Sequence, residues 1–199
     1  LYNERLVLSL VRQHEQLPKA EIARLTGLSA QTVSVIVRQL ERDGLLKRRT
    51  PRRGKVGQPL VPFALDPDGA YAIGFKVGRR SGDWLLLDLA GHVRHRIHRP
   101  YTFPTPDDII AFLRTGVEHL IADLGPRQRS RIAGIGIAAP FELWNWEEEV
   151  GAPHDVLMAW KDFDLAGNVA RLFSWPVHLS LIHISEPTSL LSNSYAVYC

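Results

Sequence analysis

The stretch AEIARLTGLSAQTVSVIVRQLERDGLL, residues 20–46, decides the fold of the amino-terminal part of this 199-residue chain. Ala20, Ile22, Ala23 and Leu25 recur at helical spacing and predict a short helix over Lys19–Leu25. Gly27 follows Thr26, where a tight turn between helices needs left-handed backbone. Ser29 then stands as the cap of a further helix whose inward stripe is Val33, Ile36, Val37 and Leu40, closed by Asp43-Gly44. Gln31, Thr32, Ser34 and Arg38 fall on its other faces. A helix that enters a major groove needs short hydrogen-bonding side chains near its N-terminus. Glutamine can pair bidentately with adenine and arginine with guanine, while serine and threonine contact bases or phosphates without strong preference.

Working outward, Leu6, Val7, Leu10 and Val11 predict a first helix, with Asn3 as its cap and an end before Pro18. On the other side, Leu45–Arg49 reads as a strand, Thr50–Gln58 as a loop with two glycines, and Leu60–Leu65 as a returning strand. This is a wing. Lys47, Arg48, Arg49, Arg52, Arg53 and Lys55 place six cations within nine residues, and Gln58 closes the loop. Such a hairpin neutralises phosphates and makes binding steeply salt-dependent. A winged helix can also serve protein contact, a use that acidic loops would favour; here the wing is basic. Together the elements predict a winged helix-turn-helix over residues 1–65 with double-stranded DNA as its partner.

Asp66-Pro67-Asp68-Gly69 is a turn and a natural domain boundary. Beyond it, Tyr71–Val77, Trp84–Leu89 and Ala90–Arg96 read as successive antiparallel strands, the first two joined by a turn over Gly78–Gly82. Pro106–Leu124 carries apolar residues at helical spacing behind Asp107 and Asp108, and Ile132–Pro140 is a buried strand. The order is β-β-β-α-β. His92, His95 and His98 are spaced as metal ligands could be, but no carboxylate or cysteine partner is evident nearby, so they read as a surface strand edge. Glu147-Glu148-Glu149 reads as a solvated loop.

Charge separates the two parts. Residues 1–60 hold 12 lysines and arginines against 5 acids, and residues 61–199 hold 12 against 16. The basic end is the one expected to meet a polyanion. The single cysteine, Cys199, excludes an internal disulfide framework and a cysteine-cluster metal site, and fits a reducing, cytoplasmic setting. No stretch reads as a signal peptide or a membrane span, so no membrane partner is expected. The first residue is Leu1, and the true start is expected upstream.

The winged helix followed by this strand order resembles the ROK family of sugar-responsive repressors and sugar kinases. The resemblance covers residues 3 to about 179 and rests on Asn3-Glu4-Arg5, Ala20–Leu46, Gly57-Gln58-Pro59, Asp66-Pro67-Asp68-Gly69, Gly134–Pro140 and Trp160–Leu165. It implies an α+β chain in which the winged helix precedes a partial actin-like ATPase (ribonuclease H-like) α/β domain, here an incomplete first lobe over residues 70–179. It further implies a repressor of sugar-utilisation genes, a sugar or sugar-phosphate effector, and a homodimer or higher homo-oligomer in the full-length protein. Repressors of this family often carry Gly-Arg-Pro in the wing; Gln58 replaces that arginine and weakens the expected minor-groove contact. Lys76 stands where the family's kinases carry the phosphate-loop aspartate, so catalytic residues, ATP or other cofactor, and metal are all expected to be absent. The alternatives are a ROK sugar kinase with an appended DNA-binding domain, and an inactive fragment.

From Ser180 the character changes. SLIHISEPTSLLSNSYAVYC has five serines, no lysine or arginine and one acid, Glu186. The family's Asn-Asp segment, zinc cluster and second lobe do not follow. Residues 180–199 are therefore expected to be a non-native tail, of the kind produced when a gene fragment is read into an adapter sequence. Half of an actin-like fold would expose apolar surface and aggregate, while the winged domain alone would be marginally stable at its size.

Overall fold

The computed structural model describes residues 2–51, 60–140, 142–145 and 151–182. The chain divides into two units. The first comprises Leu1–Ala70 with Asp88–His92, and the second Tyr71–Leu87 with Val93–Cys199.

In the first unit, α1 (Tyr2–Gln13) buries Val7 and Val11, α2 (Lys19–Thr26) buries Ile22, and α3 (Ala30–Arg42) buries Val33, Val37 and Leu40. Asn3 is not the cap: it lies inside the first turn of α1, which already includes Tyr2. A three-stranded antiparallel sheet completes the unit in the order β1 (Leu17–Pro18), β3 (Pro62–Leu65), β2 (Leu46–Arg48). β1 was invisible in the sequence because two residues carry no periodicity; it exists only by pairing Leu17 with Phe63. The strands of the wing are shorter than expected, with Leu45, Arg49, Leu60 and Val61 outside them. Leu46, Phe63 and Leu65 join the helical stripe in one core. Ile36 is only half-buried at its edge, since its helical phase sits beside the inward stripe and not within it.

The turn Pro67–Gly69 closes on Gly44. A β-carbon on Gly69 would stand 2.6 Å from the Gly44 carbonyl oxygen, so a side chain there would force the backbones apart. The turn at Asp88–His92 is organised by the buried Asp88 carboxylate. Its Oδ1 accepts from the backbone amides of Ala90 and His92, both at 3.0 Å. Leu89, at its tip, packs against the first unit's core.

The second unit is built on a five-stranded sheet in the order β6-β5-β4-β7-β8, with β4 Tyr71–Val77, β5 Ser81–Asp88, β6 Val93–Pro100, β7 Ile132–Pro140 and β8 Val177–Ile182. β7 is parallel to both β4 and β8, and β5 is antiparallel to β6. Parallel neighbours need a crossover. α4 (Pro106–Leu120) and the short α5 (Pro126–Arg129) lie between β4 and β7 in the chain order, and α6 (His154–Met158) and α7 (Leu165–Leu172) separate β7 from β8. Thr105 caps α4, its hydroxyl accepting from the Asp108 amide at 3.1 Å. α4 ends at Leu120, short of the expected Leu124, and α5 was not foreseen.

Alternation along β4 turns Tyr71, Ile73, Phe75 and Val77 to one core with Trp84 and Leu86 of β5 and the apolar stripe of α4. Phe75, Trp84 and Phe112 form an aromatic cluster with centroids 4.3–6.3 Å apart. Gly116 lets α4 approach Trp84, since a β-carbon there would collide with the indole.

Several strand boundaries differ from expectation: β5 begins at Ser81, inside the expected Gly78–Gly82 turn, and β6 runs on to Pro100 past the expected Arg96. β6 begins at Val93 because Ala90–His92 are spent on the turn. β8 continues through Ser180–Ile182, paired with Ala138, Ala139 and Pro140, although the sequence reading set these residues apart. Backbone pairing requires only extended conformation, and it carries the strand past the change in composition. Among the described residues no helix is long and apolar enough to cross a membrane.

Candidate nucleic-acid interface

The turn between α2 and α3 sets the geometry of the first unit's polar face. Gly27 adopts a φ of 70°, and its amide donates to the Ala23 carbonyl at 3.0 Å. The Thr26 hydroxyl donates to the Ile22 carbonyl at 2.7 Å and accepts from the Leu28 amide at 3.3 Å. Ser29 caps α3, its Oγ accepting from the Thr32 amide at 3.1 Å. The start of α3 is thereby held, and its outer face is defined.

Of the predicted contact residues on α3, Gln31 and Arg38 are exposed, and neither side chain is engaged among the described residues. Thr32 and Ser34 are half-buried and already engaged. The Thr32 hydroxyl lies 2.8 Å from that of Ser29, and Ser34 Oγ accepts from Lys19 Nζ at 3.2 Å. Lys19 also sits 5.5 Å over the Phe63 ring, which ties the first residue of α2 to both α3 and β3. The sequence offered no signal for this link, because it spans 15 residues and depends on the helices' packing.

The wing divides in the same way. Arg49 is exposed, and its amide donates to the Pro62 carbonyl at 2.8 Å. Lys47 is paired with Asp66 at 3.2 Å. Arg48 meets Glu41 of α3 with both ends of its fork, Nε to Oε1 at 2.6 Å and Nη2 to Oε2 at 3.1 Å. These hydrogen bonds, and then the charge of Glu41, push the guanidinium further above its usual range. Two of the six wing cations that the sequence counts toward phosphate are therefore answered by carboxylates within the unit. Arg52, Arg53, Lys55 and Gln58 lie outside the described residues, as does Glu147-Glu148-Glu149.

The remaining candidates can be placed as well. Lys76 is half-buried on β4 in register with Ala138. The reading that the histidines lack carboxylate partners is corrected. His92 Nδ1 is 3.3 Å from Asp88 Oδ2, and His98 Nδ1 is 2.9 Å from Asp83 Oδ1. Antiparallel pairing sets Asp83 directly opposite His98, a juxtaposition across 15 residues that spacing along β6 does not reveal. Arg96 Nη2 reaches the same Asp83 oxygen at 2.8 Å. Burial pushes the Asp83 carboxyl up, but the hydrogen bonds from Arg96 and His98 and their charges outweigh it and hold it below the usual carboxylate range. The pairs remain separate, and among the described residues no group of three ligand-type side chains could hold a metal. Tyr101 is also fixed, donating to the Gly78 carbonyl at 2.8 Å; burial raises its hydroxyl above the usual range.

A model of the MarR family matches residues 2–55. The chain is similar to the xylose repressor of Bacillus subtilis (strain 168), 23% identical over 177 residues that cover 89% of this chain and 45% of the repressor. It is also similar to the DNA-binding transcriptional dual regulator NagC of Escherichia coli (strain K12), 25% identical over 138 residues that cover 69% of this chain and 34% of that protein. Among solved structures, a ROK family transcriptional regulator described as a homolog of the E. coli MLC protein shares the fold at a TM-score of 0.58. It is 19% identical and covers 90% of this chain and 45% of that one. The chain thus spans less than half the length of these relatives. A winged helix that matches the MarR family model, followed by a five-stranded mixed sheet, is thus an arrangement whose fold this chain shares with that ROK family regulator.

Proposed function

We propose that this chain is the DNA-binding part of a sugar-responsive transcriptional repressor. In this reading α3 lies in the major groove with Gln31 and Arg38 toward base edges, while the β2–β3 hairpin and its loop lay Arg49, Arg52, Arg53 and Lys55 along the phosphates. Lys47, Arg48, Thr32 and Ser34 act at one remove by holding the interface in shape, and become contacts only if they leave their present partners. The observation that carries the reading is a single polar helix face, capped at Ser29, whose unengaged Gln31 and Arg38 belong to the same unit as a basic hairpin. The repressor names of the relatives support it.

The full-length protein would bind a sugar or sugar phosphate and act as a homodimer or higher homo-oligomer. Effector binding would misplace two winged domains relative to their half-sites, with a coupling of about 1–3 kcal/mol. The second unit is read as non-catalytic, on the ground that a cation, Lys76, occupies the position of the kinases' phosphate-loop aspartate.

Fluorescence anisotropy of the whole chain against random duplex DNA at two salt concentrations tests the core of this reading. Binding that weakens steeply with salt, and further when Arg49, Arg52 and Arg53 become alanine, is the expected result. Absence of binding at low salt from a folded sample would move the assignment to a protein-contact winged helix.

A further inference from the structure

The solvent face of α3 carries one residue that the reading above leaves unexplained. Gln31, Val35, Arg38 and Arg42 are exposed, and at about 100° per residue they fall within an arc of about 60° on one side of the helix. Three of them are long and polar. The fourth, Val35, is 57% exposed between Gln31 and Arg38, while its neighbours Val33 and Val37 are fully buried. Valine is a poor choice for an exposed helix position on intrinsic grounds, since β-branching costs helix propensity and exposure returns no burial energy. The same branching fixes χ1, so its two methyl groups are presented in one orientation without loss of rotamer freedom on contact.

Resting on the DNA-binding reading of α3, we infer that Val35 is a specificity-determining contact that reads the 5-methyl group of a thymine in the major groove. A side chain without donor or acceptor can distinguish base edges there only by apolar contact, and the thymine methyl is the one apolar group the major-groove edges present. The flanking Gln31 and Arg38 supply the hydrogen-bonding capacity that Val35 lacks. Cytosine, which carries hydrogen at that carbon, would leave the valine facing a gap.

The test uses the full 199-residue chain. Duplexes enriched by the protein from a random pool are resynthesised with each thymine replaced in turn by deoxyuridine, which removes one methyl group and nothing else. Dissociation constants are measured for the wild type and for Val35→Ala, whose helix content is checked by circular dichroism. At one thymine of each half-site the wild type should lose about fourfold in affinity on replacement, the equivalent of about 0.8 kcal/mol for one buried methyl. Val35→Ala should show no loss at that thymine and respond like the wild type at all others. A duplex that binds tightly and specifically, yet shows the same deoxyuridine profile for both proteins, overturns the inference and leaves the DNA-binding reading standing. Failure to enrich any duplex, with no salt-dependent binding, overturns both.

Discussion

Arg48 cannot give its full charge to a phosphate while Glu41 holds both ends of its guanidinium, and Glu41 lies on the helix proposed to enter the groove. Glu41→Gln should therefore strengthen duplex binding and steepen the dependence of log K on log salt by about one phosphate contact. Titrations at several salt concentrations check this, and the gain should shrink when Arg48→Ala is added. Asp83 gives a pH prediction. Its folded carboxyl is held below the usual range, so on acidification the unfolded chain takes up the proton first. The stabilisation from Arg96 and His98 is present above the unfolded pKa of about 4 and is lost as pH falls through the lower folded value. Asp83→Asn should cost on the order of 1–3 kcal/mol near neutrality, with the difference from wild type closing toward pH 3 in urea melts. Both pairs join residues on different elements, which is why residue types along the chain did not disclose them.

At the scale of the element, the sequence was most legible where a boundary is made by the boundary residues themselves. Ser29 caps α3 and Gly27 takes the left-handed turn because each acts on backbone within a few positions. Ser29→Ala should cost about 1 kcal/mol and lower the helical signal of the first unit on thermal melting by circular dichroism. The sequence was least legible where an element ends or begins by tertiary pairing. β1 forms because β3 passes beside Leu17, β6 is delayed by the Asp88 turn, and β8 runs on through Ile182 beside β7. Gly116 belongs to this second kind. Its role is clear only from the indole that crosses it, and Gly116→Ala should destabilise the second unit by about 1–3 kcal/mol. All five tryptophans lie in that unit, so intrinsic fluorescence in denaturant reports the loss.

For the molecule as a whole, the net charge of +3 says little about its partner, because the surplus of cations over residues 1–60 is masked by the acidic remainder. If the first unit is the interface, Arg49, Arg52 and Arg53 to alanine should reduce the salt slope by about 2–3. Arg79, Arg80 and Arg94 to glutamine in the second unit should leave it unchanged. Anisotropy titrations on the two triple variants distinguish these outcomes. The sequence by itself determined the helix order of the first unit, the Ser29 cap, the β-β-β-α-β succession and the uneven charge, since periodicity and turn chemistry act over a few residues. Only the tertiary structure decided which polar groups are available. Lys19 with Ser34, Lys47 with Asp66 and Arg48 with Glu41 are separated by 15, 19 and 7 residues. Polar groups so far apart in the chain meet or miss according to how the elements pack, and the same packing leaves Val35 outside while burying Val33 and Val37.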